Sequence, residues 1–229
     1  MEELRGITLD FKIASPEVIE IVLDETDDPS VFQEILNANR TRIEVLRLLY
    51  EHYNTPEDIR AEAAKILSLP VKTSREIEEV RTRELSKPKE VRAESLSKKV
   101  QKLTVSERVR LAMRGSREIR SILLKDTNKE VVLAVLDNPK ITETEIEMIA
   151  RSRNVPEEAL RTIARNREWM KSYSVLLALI TNPKTPAGIA VGFISSLKPK
   201  DLALLEKNKN VAEVVRSAAK RLLAARKKA

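Results

Sequence analysis

There is no cysteine in this chain and only one histidine, His52. The first absence removes thiol nucleophiles, disulfides and thiolate metal sites, and the second leaves no imidazole pair for zinc. No cofactor and no resident metal are expected. Aromatic residues make up 3% and glycine occurs 4 times, so Gly-rich phosphate loops are missing and few rings exist on which a base could stack. Apolar runs such as Val175 to Ile180 fall far short of the ~20 residues that a bilayer span needs. The opening Met1-Glu2-Glu3-Leu4 is acidic where a secretory signal would be basic and then apolar. The expectation is a soluble, cytoplasmic protein with no membrane partner.

What remains is rich in charge (34%) and in Ala, Leu, Ile, Val, Glu, Lys and Arg, a composition that predicts an all-α fold. The formal net charge of +7 conceals a split: residues 1–85 hold 11 Lys+Arg against 19 Asp+Glu, leaving −8, and residues 86–229 hold 31 against 16, leaving +15. This divides the chain into an acidic N-terminal helical region (1–85), a charged segment around Ser86-Lys87-Pro88-Lys89 that is either a linker or a bridging helix (86–102), and a basic helical array (103–229). Opposite fields steer association. The two arms therefore either contact each other, pair between chains, attract an anionic partner to the basic half, or are two well-solvated surfaces.

Within the basic half the chain repeats itself. Val131-Val132-Leu133-Ala134-Val135-Leu136-Asp137-Asn138-Pro139-Lys140 is echoed 44 residues later by Val175-Leu176-Leu177-Ala178-Leu179-Ile180-Thr181-Asn182-Pro183-Lys184, and a recurrence of this period marks a helical-repeat array. Helix punctuation is regular around it. Thr104 with Glu107 spells a capping box, Ser15-Pro16 and Thr55-Pro56 open helices, and Pro139 and Pro183 close them. The spacing predicts apolar stripes through Ile43, Leu46, Leu49, Tyr50 and Tyr53, and through Ile59, Ala63, Ile66 and Leu67. Gly188 and Gly192 weaken their helix, and their spacing suits close approach of a neighbouring one.

Over Leu133 to Lys140 and Leu177 to Pro186 the sequence resembles the leucine-rich repeat variant family, a relative of the HEAT and armadillo repeats, whose units read apolar-Ala-apolar, then Asn-Pro-x-Thr-Pro, then a second apolar helix. The resemblance extends from about Thr104 to Leu223 and implies a right-handed α-solenoid of short HEAT-like helices. It departs in two ways: a Cys-free chain cannot hold that family's iron–sulfur cluster by thiolates, and repeat lengths drift. Fold carries over, and an activity does not. Some basic HEAT-like proteins are DNA glycosylases, but the basic arm has only Trp169, Tyr173 and Phe193 with which to grip an extruded base.

Two candidates stand out for function. Arg110, Arg114 and Arg117, with Arg108 and Arg120 beside them, fall at helical spacing, and Arg151, Arg153, Arg161 and Arg165 extend a basic surface that either follows a phosphate backbone or is a solvated helix face. Trp169, flanked by Arg165, Arg167 and Lys171, is either an interface anchor or a staple between repeats. His52 has no catalytic companion legible in the sequence. The expectation is a non-catalytic scaffold or adaptor that binds an unidentified protein partner, with phosphate-backbone (DNA or RNA) binding as the alternative.

Overall fold

The computed structural model describes residues 10–228. Among them are fifteen α-helices and no strand: α1 (Pro16–Glu25), α2 (Pro29–Ala38), α3 (Ile43–Glu51), α4 (Glu57–Leu67), α5 (Ser74–Leu85), α6 (Lys89–Lys102), α7 (Val105–Arg114), α8 (Arg117–Leu123), α9 (Lys129–Leu136), α10 (Glu143–Arg151), α11 (Glu157–Arg165), α12 (Tyr173–Thr181), α13 (Ala187–Phe193), α14 (Pro199–Lys207) and α15 (Glu213–Lys228). The all-α class expected from composition is the class the chain adopts. No helix among the described residues is long and apolar enough to cross a membrane. The chain forms two compact units that divide between Leu111 and Ala112, inside α7.

In the first unit, side-chain caps set the starts of α1 and α2, whereas α3, α4 and α6 begin without one. Ser15 Oγ accepts from Val18 N and Asp28 Oδ1 from Ser30 N at 2.9 Å, each ahead of a proline in the first turn, where the missing N–H costs nothing. α3 packs on α4, and α1 and α2 pack on α3, burying Ile19, Leu23, Phe32, Ile35, Leu36, Leu46 and Leu49 completely or nearly so. Three predicted stripe positions lie elsewhere: Ile43 and Ile66 are 59% and 39% exposed, and Tyr53 falls past the end of α3. α3 begins at Ile43, so that side chain sits in a first turn ahead of the packed face, and Val45 takes the inward position instead. Residues 86–102 contain α6, which packs on α1. Lys99 Nζ reaches Glu20 Oε1 at 2.9 Å and Asp24 Oδ2 at 2.8 Å.

The second unit carries the duplication, and burial copies it. From Val131 to Lys140 and from Val175 to Lys184 the pattern of buried, half-buried and exposed positions is the same at nine of ten places, differing only at Asp137 and Thr181. α12 is apolar around its circumference because it serves two clusters: Val175, Ala178 and Leu179 pack with Ile146, Ile149 and Ile163, whereas Leu176 and Ile180 pack with Ile194, Leu202 and Leu205. A helix buried on both sides has no polar stripe to spare.

The two Asn-Pro steps do more than stop helices. Asn138 is buried, and its Nδ2 donates to Ala112 O at 2.8 Å and Gly115 O at 3.2 Å while its Oδ1 accepts from Lys140 N at 2.9 Å. Asn182 does the same work one copy later, donating to Ala150 O at 2.6 Å and Ser152 O at 2.9 Å and accepting from Lys184 N at 2.9 Å. Each amide thus satisfies carbonyls at the C-terminal end of a helix two positions earlier, α7 for α9 and α10 for α12, groups that helix geometry leaves without a partner. Capping boxes begin both of those earlier helices, Thr104 with Glu107 and Thr142 with Glu145. The recurrence therefore spans three helices. Gly188 and Gly192 are not points of close approach: a Cβ on either would meet nothing within 4 Å.

Candidate interaction surface

The arginines fall into three groups once their partners are known. Arg120 leaves the predicted basic row altogether. It is 3% exposed, and its Nε and Nη2 donate to Glu145 Oε1 and Oε2 at 2.9 and 2.8 Å while Nη1 donates to Gly115 O at 3.1 Å. Burial opposes the charge on Glu145, but the bonds from Arg120 and from Thr142 outweigh it and hold the carboxyl below the ordinary glutamate range. This fork belongs to the interior, where it ties α8 to α10.

Arg151 and Arg161 are exposed and locally paired, Arg151 with Glu147 at 2.6 Å and Arg161 with Glu157 at 2.6 Å, each one turn back along its own helix. Such pairs stabilise a helix by only ~0.3–0.5 kcal/mol and open easily. The side chains of Arg110, Arg114, Arg117, Arg153 and Arg165 make no hydrogen bond or ion pair among the described residues. Arg110 and Arg114 are one turn apart on α7, and Arg161 and Arg165 are one turn apart on α11. Trp169 sits in a short 3-10 helix after α11, half-buried, with its ring packed against the cluster of Leu160, Ile163 and Val175.

Arg151 has a second neighbourhood that its position in the sequence does not disclose. With Leu177 and Thr181 of α12 and Asp201, Leu204 and Asn208 of α14 it lines a groove of about 330 Å³. Leu204 is 61% exposed in it, and Met148, one turn before Arg151 on α10, is 60% exposed. The groove's rim is partly fixed. Tyr173 OH donates to Asp201 and accepts from Lys198 N, and the Lys198 ammonium lies 4.6 Å over the Tyr173 ring, which together hold the start of α14 against the start of α12. Thr181 Oγ1 donates to Leu177 O at 2.8 Å. Asn208 Oδ1 accepts from Asn210 N at 3.0 Å in the same turn that Asn138 and Asn182 make, yet its Nδ2 has no partner among the described residues.

In the first unit His52 does have a companion, although 28 residues away. Its Nε2 lies 3.0 Å from Asp24 Oδ1, and its Nδ1 accepts from Asn54 N at 3.3 Å. That acceptance assigns the proton to Nε2, so the ring donates to Asp24 and both nitrogens are engaged. A general base needs a free lone pair aimed at a substrate, and this imidazole offers none. Burial works against the Asp24 carboxylate, while the bonds from His52 and Lys99 hold it below its usual range. No group of three or more His, Cys, Asp or Glu able to hold a metal occurs among the described residues.

No family model matches the chain, and neither a curated protein nor a solved structure resembles it at a significant level.

Proposed function

We propose that the chain is a helical-repeat scaffold whose second unit is a short right-handed α-solenoid, and that it works without catalysis by binding another protein. The observation that carries this reading is the repeated asparagine: two residues 44 apart, with matching burial, close the ends of two corresponding helices in the same way. A structure specified by recurrence presents an extended surface held in register, which is what such arrays use for recognition. Three helices per recurrence suit the armadillo end of the group better than two-helix HEAT units. The test is a native pull-down with the full chain followed by mass spectrometry, with and without nuclease. A stoichiometric protein that survives nuclease is expected, and recovery of none would overturn the proposal.

A second reading is favoured by a separate observation, the five arginines without internal partners. Residues 112–229 contain 23 Lys+Arg against 13 Asp+Glu, leaving +10, enough to draw a phosphate backbone to the unit. Fluorescence anisotropy with labelled single-stranded DNA and RNA at 50 and 200 mM salt, on the order of the range over which phosphate contacts are lost, separates the two. Binding whose salt slope is reduced by Arg114→Glu and Arg117→Glu supports this second reading, and no binding at the lower salt removes it.

A further inference from the structure

The geometry points to the groove between α10, α12 and α14 as the recognition site for an extended segment of another protein that carries an apolar side chain and a carboxylate two residues away. The inference rests on the scaffold reading and adds to it a place and a ligand chemistry.

The floor is apolar and open. Leu177 and Leu204 flank it, and a side chain as large as leucine left 61% exposed beside a concavity is a place where a partner gains by covering apolar surface. Two donors line the same groove: the exposed guanidinium of Arg151, which holds the Glu147 carboxylate through Nη2 alone, and the unpartnered Nδ2 of Asn208. Asp201, also in the lining, is bound by Tyr173. A planar guanidinium and an amide donor favour a carboxylate, and they do so in a unit whose charge is strongly positive. The carboxylate of Asp201 and the apolar floor make the same groove a poor track for a run of phosphates.

Spacing suits an extended segment. Leu204 and Asn208 are four residues apart on α14, about 6 Å along its axis. In an extended chain alternate side chains share a face and lie about 6.6 Å apart. An apolar side chain over Leu177 and Leu204 therefore places the side chain two residues away beside Asn208 and Arg151. Asn208 supplies its donor because the rung that Asn138 and Asn182 complete is left open here.

The experiment is selection of a random 12-residue peptide library on the immobilised full chain, followed by titration of the enriched peptides. Enrichment of an apolar residue with Asp or Glu two positions away is expected. Binding should weaken at least about tenfold in Arg151→Glu and in Leu204→Lys and hold in Arg165→Glu. Both groove side chains are exposed, so circular dichroism of the variants should match the parent, and methyl shifts confined to Leu177 and Leu204 on adding peptide give a readout that needs no variant. Failure to enrich any peptide, or peptides that bind both variants as tightly as the parent, overturns the proposal. A pull-down partner indifferent to both substitutions also overturns it and leaves the scaffold reading standing. Self-association in analytical ultracentrifugation that these substitutions abolish would identify a second copy as the occupant, again against the proposal.

Discussion

Asn182→Ala is the sharpest test of how the second unit is held together. The side chain is 3% exposed, and its removal strips the hydrogen bonds from Ala150 O, which is buried, and from Ser152 O, which is partly buried. A buried carbonyl left without a donor costs ~1–3 kcal/mol, a bond to a partly wetted one ~0.5–1.5, and the lost turn to Lys184 N about as much again. The sum is about 4 kcal/mol. Asn208→Ala is the matched control: it has the same turn, to Asn210 N, and no donated bond, so its cost should stay at ~0.5–1 kcal/mol. Trp169, the single tryptophan, reports this unit by fluorescence during urea unfolding. With m near ~2 kcal/mol/M, Asn182→Ala should lower the midpoint by about 2 M and Asn208→Ala by less than about 0.5 M. Equal losses for the two would refute the claim that the donated rung matters. Asn182→Asp adds a sign check. A carboxylate facing two carbonyl oxygens is disfavoured, so its folded pKa lies above the unfolded value of ~3.9. Its deficit relative to the parent should therefore shrink as pH falls from 7 towards 4.5 and grow as pH rises.

Gly188→Ala and Gly192→Ala should each stabilise the protein by ~0.5–1 kcal/mol, because the added methyl meets nothing within 4 Å and the helix loses its most flexible residues; thermal unfolding reads the gain. Arg120→Ala should cost ~3–5 kcal/mol by leaving Glu145 buried and unpaired, and a double-mutant cycle with Glu145→Gln should recover part of that cost. Asp24 has a folded pKa below its unfolded value, so its contribution is present above ~4 and is lost as pH falls through the lower folded value. Asp24→Asn should flatten that part of the acid limb in a pH series of urea midpoints. Lys99→Met should raise amide exchange in α6, since Lys99 links that helix to Glu20 and Asp24.

Local chemistry was legible in the sequence wherever a signal and its consequence lie within one helical turn. Ser15, Thr104 with Glu107, and the Asn-Pro steps announce helix ends, and these ends are where the chain turns. Apolar spacing gave helices but could not always give their inward face. Ile43 and Ile66 satisfy the spacing, yet one falls in a first turn and the other in a last turn, where packing has already lapsed. Glycine spacing misleads for a related reason. A small residue permits close approach without requiring it, and no neighbour comes near Gly188 or Gly192.

The candidate site was less legible because its logic is non-local. Arg120 shares the spacing of Arg114 and Arg117, and only Glu145, 25 residues further on, removes it from the surface; no window along one helix contains that partner. His52 looks solitary in the sequence for the same reason, with Asp24 at a separation of 28. The asparagines argue the point from the other direction. Asn138, Asn182 and Asn208 all close a turn onto the amide two residues on, a local task that the sequence states openly. Only the first two also donate to an earlier helix. A residue type retained while half of its structural work lapses frees a donor at the surface without disturbing the turn that positions it. The most specific chemistry on this unit is thus expected where the repeat is imperfect, at Asn208 beside Leu204 and Arg151, and not along the evenly spaced arginines that first draw the eye.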